Sequence, residues 1–229
     1  MERYRRNFNT LSQDEQTVLS ESRVAVIGLG GLGGAVVEVL ARIGVGALVL
    51  MDGDSFETSN LNRQILATEA LVGHSKASAA SARVGAVNAT VQVAACHDFL
   101  DSENADATVK GCDLVIDCLD SIEARFLLES ACKRAKVPLV SGAIAGTLGQ
   151  VTTIFPQDPG LTLVYGDQTS PRSDGVEQEM GTLAYTAMFI AAIEASEAIK
   201  VLLNRGELLR NRLLIIDLMA LSFDTVELT

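Results

Sequence analysis

The chain has 229 residues, enough to bury a full core, and 48% of them are apolar, which excludes a disordered protein. With 18 Lys and Arg against 29 Asp and Glu, the net charge of −11 repels phosphate backbones and excludes a nucleic-acid partner. The opening Met1-Glu-Arg-Tyr-Arg-Arg has no apolar signal core, and the most apolar helical stretch carries Glu194, Glu197 and Lys200; a cytoplasmic protein with no membrane span is expected.

In chain order, residues 1–9 read as an arginine-rich arm or short helix, by composition a solvated terminus. Ser12-Gln-Asp-Glu15 is a capping box that starts a helix running through Leu19. A short run of β-formers, 24–27, leads straight into Gly28-x-Gly30-x-x-Gly33 and an Ala- and Val-rich helical pattern. A second apolar run follows, closed by Asp52. This is the layout of a nucleotide-binding βαβ unit. Gly28 allows the tight turn, Gly30 lets backbone approach a phosphate, and Gly33 lets helix and strand pack closely. Asp52, 19 positions beyond Gly33, stands where an acid accepts from ribose hydroxyls. The unit alone does not separate NAD from ATP. Asp54, Asn60, Arg63 and Gln64 crowd the next stretch, with Lys76 beyond. Two cations near a phosphate site suit expulsion of pyrophosphate better than hydride transfer. An NAD-dependent oxidoreductase, the alternative enzyme class, would also need a catalytic domain that the chain does not offer.

Residues 58–62 read as a turn, 75–87 as a helix with Lys76 in its first turn, 91–95 as a third strand and 102–110 as a helix. Residues 113–117 form a buried strand running into Cys118-Leu-Asp120. Ligands of open parallel sheets sit beyond the carboxyl ends of strands, so Gly28, Asp52 and Asp120 should converge. Asp120 is a candidate Mg²⁺ ligand, or else the N-cap of a helix over 122–135. A strand at 138–141 is followed by Gly142, Gly146 and Gly149, which mark a tight return into 150–155, where the sheet is expected to turn antiparallel. Residues 156–180 show no periodicity and read as a long functional loop. A helix over 182–204, a turn at Arg205-Gly206 and two paired strands at 213–217 and 221–228 close the chain. The expected fold is α/β: a Rossmann-like, doubly wound, mainly parallel sheet with antiparallel C-terminal strands. Cys96, Cys112, Cys118 and Cys132 form no Cys-x-x-Cys pair and read as small buried hydrophobes on or beside core strands, in a reducing compartment. His74 and His97 are too separated to suggest a metal site.

The chain resembles the HesA/MoeB/ThiF family, relatives of the ubiquitin-activating enzymes. The resemblance rests on Arg3-Tyr4-Arg5-Arg6, on Val26-Ile27-Gly28-Leu29-Gly30-Gly31-Leu32-Gly33, and on Asp52-Gly-Asp54 leading into Ser59-Asn60-Leu61-Asn62-Arg63-Gln64. It continues through Gly73-His-Ser-Lys76, Asp117-Cys-Leu-Asp120 with Arg125, and Pro138-Leu-Val-Ser-Gly142 with Gly149-Gln150.

The resemblance implies one adenylation domain over 1–229: an arm and helix (1–22), a nucleotide-binding core (23–155), a crossover loop (156–180) and a C-terminal helix and strands (181–229). It implies ATP- and Mg²⁺-dependent adenylation of the Gly-Gly carboxylate of a small ubiquitin-like sulfur carrier, in thiamine, molybdopterin or a related sulfur-transfer pathway. Gly28, Gly30, Gly31 and Gly33 would shape the pocket, Asp52 take the ribose with Asp54 nearby, and Asp120 hold Mg²⁺. Asn60, Arg63, Gln64 and Lys76 would surround the phosphates, with Arg6 supplied across a homodimer. Many relatives carry two Cys-x-x-Cys pairs for zinc and a cysteine in the crossover loop; this chain has no cysteine after Cys132. No zinc is therefore expected, and the chemistry should stop at the adenylate. A non-catalytic nucleotide-binding or scaffold role is the alternative within the family, and retention of Arg6, Arg63, Lys76 and Asp120 together argues against it.

Overall fold

The computed structural model describes residues 2–166 and 180–228. Among them, strands β1 (Arg23–Ile27), β2 (Ala47–Met51), β3 (Gln92–Cys96), β4 (Leu114–Asp117) and β5 (Leu139–Ala145) are parallel. β6 (Leu148–Ile154), β7 (Arg212–Asp217) and β8 (Ser222–Glu227) continue the sheet in antiparallel fashion. Their spatial order is β3-β2-β1-β4-β5-β6-β7-β8. The helices are α1 (Gln13–Glu21), α2 (Gly31–Ile43), α3 (Lys76–Val87), α4 (Ala105–Val109), α5 (Ile122–Ala135), α6 (Thr162–Tyr165) and α7 (Ala184–Leu203).

The central strands β1, β2 and β4 are apolar at all but a terminal position because both of their faces are covered. Alternate residues serve two cores. Val24, Val26, Leu48, Leu50, Leu114 and Ile116 pack against α2, α3 and α7. Ala25, Ile27, Val49, Met51 and Val115 face α4 and α5. Each fully buried Leu, Ile or Val contributes about 1.5–3 kcal/mol of transfer free energy, so this alternation fixes the register. The chain leaves β1 through α2 on one face and reaches β4 through α4 on the other. A crevice therefore opens beyond the carboxyl ends of β1 and β4.

Several boundaries differ from those the sequence suggests. The helix expected from residue 102 begins at Ala105, because the Asp101 carboxylate accepts from the Glu103 and Asn104 amides and holds 101–104 in a turn. The third strand starts one residue late, at Gln92, on the sheet's edge, so Cys96 lies on an edge strand and is only half-buried. The strand expected at 138–141 extends to Ala145, and Gly146, at φ +56°, turns it back into β6. Within the aperiodic stretch α6 forms one turn, while 167–179 of the expected crossover loop lie outside the described residues. The arm is anchored: Asn88 Nδ2 donates to the Tyr4 hydroxyl at 2.8 Å, and Arg3 Nη1 to the Val87 carbonyl at 2.6 Å. The capping box forms as read, with Ser12 Oγ accepting from the Glu15 amide and the Glu15 carboxylate from the Ser12 amide. Among the described residues no helix is long and apolar enough to cross a membrane.

Candidate functional site

The crevice encloses about 310 Å³. Its floor is the glycine turn between β1 and α2. Gly28 has φ +86°, and a Cβ there would lie 2.6 Å from the Cys118 carbonyl oxygen. A Cβ at Gly33 would stand 1.8 Å from the Gly28 carbonyl oxygen, so these two glycines hold strand, turn and helix together. At Gly30 a Cβ would meet only the Gln64 amide, nearest at Nε2, 3.6 Å away, which leaves that side of the turn open to the crevice. Gly30 is also the N-cap of α2 and supplies no side-chain acceptor to its first-turn amides. Gly31 lines the crevice beside it.

Asp52 closes β2 and turns both oxygens toward backbone. Oδ2 accepts from the Leu29 amide at 2.7 Å and Oδ1 from the Asp54 amide at 2.8 Å. A carboxylate oxygen has two lone pairs, so this acid braces the glycine turn and keeps acceptor capacity for a hydroxyl. Lys76, almost fully buried at the start of α3, pairs with Asp54 at 2.8 Å. Asn60 caps its own short turn through the Glu57 amide at 3.1 Å. The Arg63 guanidinium donates to the Ser59 carbonyl and to Asn62 Oδ1, both at 2.8 Å. Gln64 is buried against Gly30, and its Oε1 has no hydrogen-bond partner among the described residues. A buried amide whose oxygen lacks a donor, with its Nε2 beside the open side of the glycine turn, is a group that a polar ligand can engage.

Asp120 stands exposed at the carboxyl end of β4 and lines the same crevice. It is not the N-cap of α5; Ser121 is, accepting from the Ala124 amide. The loop that carries Asp120 rests on a buried cluster for which the sequence offered only motif letters. Arg125 Nη1 donates to Asp117 Oδ2 at 3.1 Å and to the Gly142 carbonyl at 2.7 Å, while Nη2 donates to the Leu119 carbonyl. The Ser141 hydroxyl and the Leu119 amide complete the coordination of Asp117. Fully hydrogen-bonded, this pair is tolerated in the interior and locks the loop. From the α7 side, the Glu194 carboxyl packs on Gly142, and Cys118 Sγ donates to its Oε1 at 3.9 Å. Burial, reinforced by the Asp117 charge, holds the Glu194 acid well above the ordinary carboxylate range. Burial also pushes the Cys118 thiol up, with the Glu194 and Asp117 charges adding to it. Cys118 lines the crevice as a thiol whose surroundings oppose ionisation.

Thus Gly28, Gly30, Gly31, Asp52, Asp54, Asn60, Arg63, Gln64, Lys76 and Asp120 meet at one crevice, with Gly33 packed behind it. Arg6 does not line it. It is exposed on the N-terminal arm beside an apolar groove between α2 and α7. Five carboxylates (Asp52, Asp54, Glu57, Asp98, Asp120) face three cations (Arg63, Lys76, Arg125) around the crevice. That excess of negative charge admits a polyphosphate only with a cation to offset it. Among the described residues no group of three or more His, Cys, Asp or Glu could hold a metal ion. A single carboxylate sharing Mg²⁺ with phosphate oxygens and water needs no such group. Phe99 and Leu100 also line the crevice and were not anticipated, because an isolated apolar pair between Asp98 and Asp101 carries no periodic signal.

A model of the ThiF family matches residues 4–229. The chain is 37% identical over 228 residues to the SAMP-activating enzyme E1 of Haloferax volcanii, covering 99% of this chain and 84% of that protein. It is 35% identical over 220 residues to the molybdopterin-synthase adenylyltransferase of Escherichia coli, covering 94% and 86%. Protein HesA of Nostoc is 34% identical over 218 residues, with 95% and 84% covered. Among solved structures, E. coli MccB with ATP superposes with a TM-score of 0.84 at 22% identity, over 99% of this chain and 71% of that one, a likeness of fold.

Proposed function

The chain belongs to the ThiF family, and from that premise we propose that it adenylates the terminal carboxylate of a small ubiquitin-like sulfur-carrier protein with ATP and Mg²⁺. The observation that carries the reading is the meeting of the open glycine turn, Arg63, Lys76 and Asp120 at one crevice, from four separate segments of the chain. Relatives named adenylyltransferases support the reaction class.

A carboxylate is a poor acyl donor because its leaving group is poor. In the proposed step a carrier carboxylate oxygen attacks the α-phosphorus of ATP. A new P–O bond forms as the bond to the bridging oxygen breaks, and pyrophosphate leaves with the electron pair. No general base is needed, since the attacking group is already ionised. The protein aligns the reactants and stabilises the gathering negative charge. Gly30 and Gly31 let the phosphates approach, the Gln64 amide donates through Nε2 to a phosphate oxygen, and Asp52 accepts from a ribose hydroxyl. Arg63 exchanges its carbonyl partners, and Lys76 shares Asp54, for phosphate oxygens. Asp120 would hold Mg²⁺, which offsets phosphate charge when bound.

Arg6 lies outside its own crevice, which suits a homodimer in which each protomer's arm serves its neighbour. An exposed apolar strip comprises Leu183, Met188, Phe189, Met219, Leu221 and Phe223. It begins next to the crevice residue Thr182 and offers a carrier protein a docking surface. Residues 133–229 contain no cysteine, so the acyl-adenylate would be attacked by a sulfur donor from outside these residues. Pyrophosphate release that requires both ATP and a carrier ending in Gly-Gly tests the proposal. A chain that binds ATP yet releases none with any such carrier would instead be a scaffold.

A further inference from the structure

Phe99 is 67% exposed and lines the crevice just beyond β3. Its loop is fastened. Asn104 Nδ2 donates to the Phe99 carbonyl at 2.8 Å, His97 Nε2 meets the Gly53 carbonyl at 2.9 Å, and the Asp52 amide donates to the Cys96 carbonyl at 3.2 Å. The ring rests against Gly53, where a Cβ would come within 2.6 Å of two ring carbons. Gly53 is not among the glycines at positive φ, so no left-handed backbone demands a glycine there. What a side chain would take away there is the seat of the ring.

A phenyl ring held by its loop and left two-thirds open to a polar crevice buries little of its apolar surface. Leu100 and Leu119 line the same crevice with partly buried side chains. Asp52 joins this apolar end to the glycine turn, through its neighbour Gly53 on one side and the Leu29 amide on the other. The crevice therefore carries three kinds of lining: cations with the open turn, a ribose-type acceptor at Asp52, and an aromatic plane beside Gly53. We infer that Phe99 stacks on the base of the bound nucleotide, with Leu100 and Leu119 as its apolar margin and Gly53 retained to seat the ring. The inference rests on the reading that the crevice holds ATP. Stacking on an aromatic side chain covers the ring's exposed face and recognises a planar base, while contributing nothing to phosphate binding.

The chain contains no tryptophan, so F99W places a single indole at the site. Its fluorescence should be quenched on titration with Mg-ATP and left unchanged by magnesium tripolyphosphate. In calorimetry, F99A should weaken Mg-ATP binding about 10-fold and leave tripolyphosphate binding as in the wild type. G53A, which displaces the ring without removing it, should weaken ATP in the same direction. Because Phe99 is largely exposed, these variants should keep the wild-type melting temperature. F99A binding Mg-ATP as tightly as wild type, or an F99W indole unresponsive while calorimetry registers ATP, overturns the stacking role alone. A wild-type chain that binds no ATP overturns the nucleotide reading and this inference with it.

Discussion

Arg63 and Glu194 show how one residue's setting decides its part. The Arg63 guanidinium is held by a carbonyl and an amide oxygen, neutral acceptors that an anionic phosphate outcompetes. R63A should therefore lower carrier-dependent pyrophosphate release on the order of 10², about 3 kcal/mol of transition-state stabilisation, with little change in melting temperature. Unchanged release would remove Arg63 from the phosphate site. Glu194 is a buried acid whose pKa is raised on folding by burial. The unfolded chain gives up that proton near pH 4.3, so stability present below this pH declines as pH rises toward the folded value. E194Q keeps the shape and removes the titration. The wild type and E194Q should melt together near pH 4, and E194Q should melt higher at pH 7–8. Equal melting temperatures at both pH values would mean that Glu194 ionises in the folded state as easily as in water.

At the scale of elements, the loop between β4 and α5 carries the most consequence. Asp120 is exposed, but the loop's position is decided beneath it by Asp117, Arg125 and Ser141. R125A leaves Asp117 charged and unpaired in the interior, so urea denaturation should show a loss of about 3–5 kcal/mol. A loss within experimental error would place Arg125 outside the cluster that locks the loop. The strip on α7, β8 and the turn before β8 is the opposite case, an apolar surface that the described residues leave open, with Phe189 and Phe223 meeting edge to face at 5.9 Å. F223D should raise the carrier concentration needed for half-maximal pyrophosphate release while leaving Mg-ATP binding unchanged. Equal carrier dependence in the variant would place docking elsewhere.

For the whole molecule, the question is how many chains make a complete site. Arg6 is outside its own crevice, so R6A and D120N should each be inactive alone. In a symmetric dimer whose arms act across the interface, mixing the two variants rebuilds one intact site per mixed pair. Roughly a quarter of wild-type activity should return after subunit exchange, by that two-fold arithmetic. No recovery would confine Arg6 to its own chain, and an R6A chain active by itself would give Arg6 no catalytic part.

The sequence by itself was sufficient for the α/β fold, the glycine turn, a return into antiparallel strands somewhere between Gly142 and Gly149, and the convergence of Gly28, Asp52 and Asp120 at one crevice. Strand-end geometry and local glycine requirements are written in short stretches of chain, so spacing reveals them. Only the tertiary structure decided that Ser121, not Asp120, caps α5, that Arg125 holds the loop, and that Glu194 is forced against Gly142. It alone placed Phe99 on Gly53 and left Arg6 outside the crevice. These facts depend on which distant side chains share one volume and how deeply, and a linear pattern carries neither quantity.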